Sequence, residues 1–189
     1  MLRYRLQQPR LPLISLFLGL CCLGAVWATG ERGLPAEEGI PNFGKVNDGL
    51  FRGAQPGTAG ISNLVRLGVK AIINLRMPDE SWKDEEIQAR AHGILYTNLP
   101  MHRLGKPADD QVRKVLSLIE TLPGPVFVHC QHGCDRTGTI IACYRMKHDH
   151  WSYNDALREA ERYGLSAFER GMRNYINDFA KGRSRPPKS

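Results

Sequence analysis

Val126-Phe127-Val128-His129-Cys130-Gln131-His132-Gly133-Cys134-Asp135-Arg136-Thr137 is the stretch whose reading decides the fold of this chain. Val126-Phe127-Val128 is a short apolar run of the kind found in strands buried on both faces. It stops at His129-Cys130, and residues 137–148 continue with the pattern of a helix. A buried strand, a loop containing glycine and a helix N-terminus, in that order, build an anion site. The loop N–H groups converge on one point and the helix end adds positive potential. Gly133 lets the backbone curl close to a ligand without a Cβ clash. Arg136 brings a planar fork of donors suited to two oxygens of one phosphate.

Cys130, at the strand end, then sits beneath a captured phosphorus. The field that binds an anion also favours thiolate over thiol, and cysteines so placed titrate at about 3.5 to 7.5 rather than near 8.5. Thiolate attack on phosphorus gives a phosphocysteine, which water hydrolyses. Thr137 is set to steady the leaving thiolate, and His129 to orient the loop from behind.

Outward from the loop, the chain alternates strands and helices. Lys45-Val46 and Leu50-Phe51-Arg52, joined through Asn47-Asp48-Gly49, predict a hairpin with an Asp-Gly turn, so the fold is expected to begin near Phe43. Thr58 reads as the cap of a helix carrying Ile61, Leu64 and Val65 and stopped by Gly68. Ala71 to Leu75 is a second buried-strand run, a helix ends at His92-Gly93, and Ile94 to Leu99 alternates as a strand. After a loop at 100–107, Val112, Val115, Leu116 and Ile119 recur at helical spacing. Downstream, Ser152-x-x-Asp155 is a capping box for a helix that Gly164 ends, and residues 167–180 form another. The pattern predicts an α/β fold with a mostly parallel central sheet of about four to five strands flanked by helices.

His129-Cys130-x-x-Gly133-x-x-Arg136-Thr137 resembles the signature of the cysteine-dependent protein tyrosine phosphatases, in particular the small dual-specificity type. Leu50-Phe51-Arg52-Gly53-Ala54-Gln55-Pro56 and Ile72-Ile73-Asn74-Leu75-Arg76 are similar to the opening elements of atypical dual-specificity phosphatases from bacteria, plants and fungi. The likeness spans residues 43–180. It implies a dual-specificity-phosphatase-like fold, Cys130 as nucleophile, Arg136 as phosphate ligand, Gln131, His132, Gly133, Cys134 and Asp135 as suppliers of backbone amides, and no metal or organic cofactor. It implies hydrolysis of phosphate monoesters, on phosphotyrosine and on phosphoserine or phosphothreonine, in a phosphorylated protein or small molecule. Inositol (pyro)phosphates or phosphoinositides are the alternative substrates, and a phosphate-binding pseudophosphatase is the alternative of another class.

One departure from the family pattern motivates that last alternative. The family keeps an aspartate general acid just after the strand at 94–99, whereas Leu99 to Pro107 here contains no carboxylate. Asp109 and Asp110 come later and read either as cap and first-turn charge of a helix or as the acid. His102 and Asp135 are rival donors. Arg76, Asp79, Glu80 and Trp82 follow a strand end, where α/β sheets place ligands, and are candidate pocket walls.

Both ends read as lying outside the domain. Arg3, Arg5 and Arg10 precede an apolar run to Ala28, so residues 1–29 are either a signal peptide or a membrane anchor through residues 11–28. In both cases the catalytic domain is expected on the non-cytoplasmic side. Residues 30–42 read as linker and 181–189 as a basic solvated tail. The formal charge is +7; setting aside the three N-terminal arginines leaves 23 basic against 19 acidic residues, or +4. That excess suits an anionic substrate and falls short of a nucleic-acid footprint. Beyond residue 29 the cysteines are Cys130, Cys134 and Cys143, an odd count that does not suggest a disulfide framework. Cys134 is either a loop filler or a resolving thiol for an oxidised Cys130.

Overall fold

The computed structural model describes residues 39–80 and 82–183. The expected signal or anchor segment and most of the basic tail therefore lie outside the described residues. Among those residues no helix is long and apolar enough to cross a membrane.

The strands are β1 (Gly44–Asn47), β2 (Leu50–Gly53), β3 (Ala71–Asn74), β4 (Leu95–Asn98) and β5 (Val126–His129). They form one sheet in the order β1-β2-β5-β3-β4. β1 and β2 are the antiparallel hairpin, while β5 pairs in parallel with β2 on one side and β3 on the other. The helices are α1 (Thr58–Arg66), α2 (Asp84–Ala91), α3 (Asp109–Thr121), α4 (Asp135–His148), α5 (Tyr153–Arg162) and α6 (Arg170–Ala180).

The two-sided apolar runs are explained by the layers. Ile73, Val126 and Val128 point into a core shared with Val112, Val115 and Leu116 of α3 and Ile140 and Ile141 of α4. Their neighbours Ile72 and Phe127 point into the opposite core with Ile61 and Leu64 of α1 and Ala89 of α2. Each such side chain removed from water contributes about 1.5–3 kcal/mol, so the strand that ends at Cys130 is fixed from both faces. α4 is buried from Arg136 to Arg145 because α5 and α6 cover the side away from the sheet.

Several boundaries differ from those expected. Ile40, inside the expected linker, is 1% exposed, and Pro41 O accepts the Ala54 N–H at 2.8 Å; the fold therefore includes residues 39–42. Thr58 is the first residue of α1 rather than its cap, which is Gly57 without a side-chain hydrogen bond. The helix after the loop starts at Asp135, two residues early, so the loop's last members already belong to its first turn. The last helix starts at Arg170, leaving Phe168 outside it and 93% exposed. Trp82 packs against the α1–α2 core. Ser152 does cap α5, accepting the Asp155 N–H at 3.2 Å, and Gly164 follows with φ +93°.

Candidate active site

β5 delivers Cys130 to the sheet's C-terminal edge, and α4 begins five residues later. The loop between them turns at Gly133, whose φ is +68°. A Cβ there would lie 2.6 Å from the Gly53 carbonyl group, so this residue must be glycine for two reasons. Cys130, Gln131, His132, Asp135 and Arg136 line a cavity of about 100 Å³, closed from across by Arg103 and Leu104. A water needs about 10–15 Å³ of such space, so the cavity has room for a phosphate group.

Arg136 is almost fully buried, and its Nη1 donates to Glu80 Oε2 at 3.0 Å and to Met101 O at 3.2 Å. Glu80 Oε1 also lies 3.7 Å from Arg103 Nε. One edge of the guanidinium is thereby fixed, which leaves the Nε and Nη2 side for an anion. Arg76 is buried alongside, donating through Nη1 to Gln55 Oε1 at 2.9 Å and through Nη2 to the loop's Gln131 Oε1 at 3.4 Å. Burial lowers its affinity for the proton, and the neighbouring Arg136 charge adds to that, although Glu80 works the other way.

His129 is wholly buried beneath the loop. Its Nε2 lies 2.9 Å from Glu85 Oε1 and its Nδ1 3.2 Å from the Cys130 carbonyl oxygen. Glu85 Oε2 accepts from Asn74 Nδ2 at 3.0 Å and from the Tyr96 hydroxyl at 3.1 Å. Burial pushes the Glu85 carboxyl up, but His129 and hydrogen bonding from Gln55 and Tyr96 outweigh it, and the net shift is below the ordinary value. The chain Glu85–His129–Cys130 thus anchors the Cys130 backbone to α2 and β3. Thr137 is buried with no hydrogen-bond partner for its hydroxyl.

The candidate acids divide. Asp110 shares a separate cavity of about 320 Å³ with His102 and Lys106, outside the phosphate-sized one. Asp109 and Asp110 form the first turn of α3, where their charge favours the helix. Asp135 does line the cavity at Cys130; its Oδ1 accepts the Ser166 N–H at 2.8 Å. Asp79 is exposed. Cys134 Sγ turns behind the loop, contacting His132 O at 3.2 Å and Asn42 Nδ2 at 3.5 Å, and does not line the cavity. Cys130 and Cys143 are free thiols. A larger cavity of about 690 Å³ lies at Trp151, Asp155 and Arg158, and Cys130 does not line it.

Sequence reasoning overlooked Asn42, Arg52 and Glu85. Arg52 did carry a signal, a lone charge inside an apolar strand run. Glu85 had none, since Asp84-Glu85-Glu86 is a uniform acidic trio and only the helix phase buries the middle one.

A cysteine at the end of a central parallel strand, facing a buried arginine across an anion-sized cavity at a helix start, defines a cysteine-dependent phosphatase fold and site. Residues 35–177 match the family model described as "DSP-PTPase phosphatase fused to NAD+ Kinase". The chain belongs to this family of dual-specificity-type protein tyrosine phosphatases. It is 28% identical over 163 residues to the dual specificity protein phosphatase TpbA of Pseudomonas aeruginosa strain UCBPP-PA14, covering 81% of this chain and 72% of the relative. It is 31% identical over 130 residues to the inositol diphosphatase DSP4 of Arabidopsis thaliana, covering 66% of this chain and 65% of that protein. The fold superposes on a cysteine-to-serine form of P. aeruginosa TpbA in complex with phosphotyrosine with a TM-score of 0.64 at 23% identity, over 84% of this chain and 99% of the other.

Proposed function

We propose that the chain hydrolyses phosphate monoesters, phosphotyrosine foremost and phosphoserine or phosphothreonine as well, through a phosphocysteine on Cys130. The observation that carries this reading is the cavity shared by Cys130 and the half-tethered Arg136. Arg136 and the amides of residues 131–135 bind the phosphate oxygens. The Cys130 thiolate attacks phosphorus, the P–O bond to the substrate breaks, and the departing oxygen takes a proton. Asp135 is assigned as its donor, because it is the aspartate lining the cavity. Water then attacks the phosphocysteine, returning the thiolate and releasing inorganic phosphate. The phosphotyrosine complex of the P. aeruginosa homologue supports the choice of substrate.

Cys130→Ser tests the reading. It is expected to lower turnover of p-nitrophenyl phosphate by at least about a thousandfold while phosphate still protects the fold against heat. Full activity in that variant overturns the assignment. In the same series, Asp135→Asn should slow phosphoserine hydrolysis more than p-nitrophenyl phosphate, whose leaving group needs less help from an acid. Asp110→Asn should slow neither. We also propose export or membrane anchoring through residues 11–28, on the basic-then-apolar pattern of that segment. A mature N-terminus near Thr29 indicates cleavage, an intact Met1 in the membrane fraction indicates an anchor, and an intact soluble cytoplasmic chain overturns the proposal.

A further inference from the structure

Three successive carbonyls of the loop are each taken by a donor from behind it. The Gln55 N–H donates to Gln131 O at 3.2 Å, Asn42 Nδ2 to His132 O at 3.0 Å, and Arg52 Nη2 to Gly133 O at 2.9 Å. A planar trans peptide carries its C=O and N–H on opposite sides. Tying these carbonyls back therefore turns the N–H groups of His132, Gly133 and Cys134 toward the cavity, as an anion nest requires. Neither the His132 nor the Gly133 N–H donates to a backbone carbonyl among the described residues.

Arg52 differs from the other two donors. It is 1% exposed, with its guanidinium carbon 3.8 Å from the centre of the Tyr163 ring. Its Nε and Nη1 have no hydrogen-bond partner. The acid whose field reaches it, Glu159, is committed to Arg145 through bonds of 3.1 and 2.8 Å. Burial pushes the Arg52 guanidinium down to about 10, with Glu159, Tyr163, Cys130 and Cys134 acting in the opposite sense. It is still cationic at neutral pH. A buried charge without a bonded counter-ion is costly, and the anions that offset this one are those the site itself acquires.

We propose that Arg52 is a positioning residue of the phosphate loop: it holds the Gly133 peptide with its N–H side toward the anion, and its buried charge favours the Cys130 thiolate and bound phosphate from behind. Arg136 meets the anion from the front, and Arg52 never touches it. The proposal rests on Cys130 being the nucleophile.

The test uses the full chain, its Arg52→Met and Arg52→Lys variants, and two readouts besides activity. One is alkylation of Cys130 by neutral iodoacetamide, followed peptide by peptide at about pH 6 and about pH 9, since only thiolate reacts. The other is the concentration of inorganic phosphate that protects Cys130 from alkylation. In Arg52→Met the rate at the lower pH should fall roughly tenfold and the rate at the higher pH stay within about twofold, because thiolate is then abundant regardless. Half-protection should need roughly tenfold more phosphate. Arg52→Lys keeps the charge but not the fork, so it should restore most of the low-pH rate and still bind phosphate several-fold more weakly. If Arg52→Met melts early yet keeps the wild-type rate ratio and phosphate protection, Arg52 is structural only and the proposal fails. Should Arg52→Met not fold, wild-type phosphate protection in Arg52→Lys overturns it instead. Failure of the phosphatase reading looks different: wild-type Cys130 would alkylate no faster than Cys134 at either pH, and Cys130→Ser would stay active.

Discussion

Gly133 is the residue whose replacement isolates the loop's backbone from its chemistry. Its φ of +68° is strained for any residue bearing a Cβ. The space a Cβ would need is already taken, with Gly53 C and O at 2.6 Å and Ala54 N at 2.8 Å. These contacts are backbone, part of the strand paired with β5, and cannot rotate away as a side chain can. Gly133→Ala must therefore push the loop off β2 and misalign its amides while leaving Cys130 and Arg136 in the sequence. Loss of preorganised donors costs about a hundredfold to a thousandfold in turnover, and the variant should fall by at least that much. Steady-state kinetics check the value, and phosphate protection against heat should weaken in parallel. Activity within a few-fold of wild type would mean the loop tolerates a second backbone path.

At the level of elements, the helices carry the site and their ends are unequally capped. Ser152 satisfies a first-turn N–H of α5, whereas Ala108 begins α3 with extended backbone and no side-chain acceptor. α3 nevertheless holds Val112, Val115 and Leu116 in the core beside β5. Supplying the missing acceptor with Ala108→Ser should stabilise the protein by about 1 kcal/mol, and Ser152→Ala should cost a similar amount. In a domain of this size those changes shift the melting midpoint by about 2–4 °C in opposite directions, read by calorimetry. Neither should alter turnover, since Ala108 lines the neighbouring cavity and not the one at Cys130. A change in kcat on Ala108→Ser would instead implicate the start of α3 in catalysis.

For the molecule as a whole, the sheet, its parallel character and the loop were legible because each depends on local pattern: apolar runs, one glycine, one cysteine, one arginine. What lay behind the loop was not legible, because parallel pairing brings residues from distant segments into register. Arg52 meets Gly133 only because β2 pairs with β5, and Glu85 meets His129 only because α2 packs over the opposite face. The wholly buried Glu85–His129 contact makes a prediction about the entire fold. The Glu85 carboxyl titrates below its ordinary value of 4.5, because His129 and its hydrogen bonds outweigh burial. A carboxylate held low in the folded state contributes stability that is fully present above that ordinary value and is lost as pH falls through the folded one. Acid should therefore loosen the fold from behind β5, beneath Cys130. Glu85→Gln removes the charge and turns one accepting oxygen into a donor, which leaves a buried polar group beside His129 or Asn74 unpaired at a cost of about 1–3 kcal/mol at neutral pH. Its melting midpoint should be lower than wild type at about pH 7, and the gap should narrow steadily below about pH 4.5, where the wild type loses the same charge. Thermal melts across that range decide the matter: a gap that stays constant would show that Glu85 stabilises the fold by packing rather than by its charge.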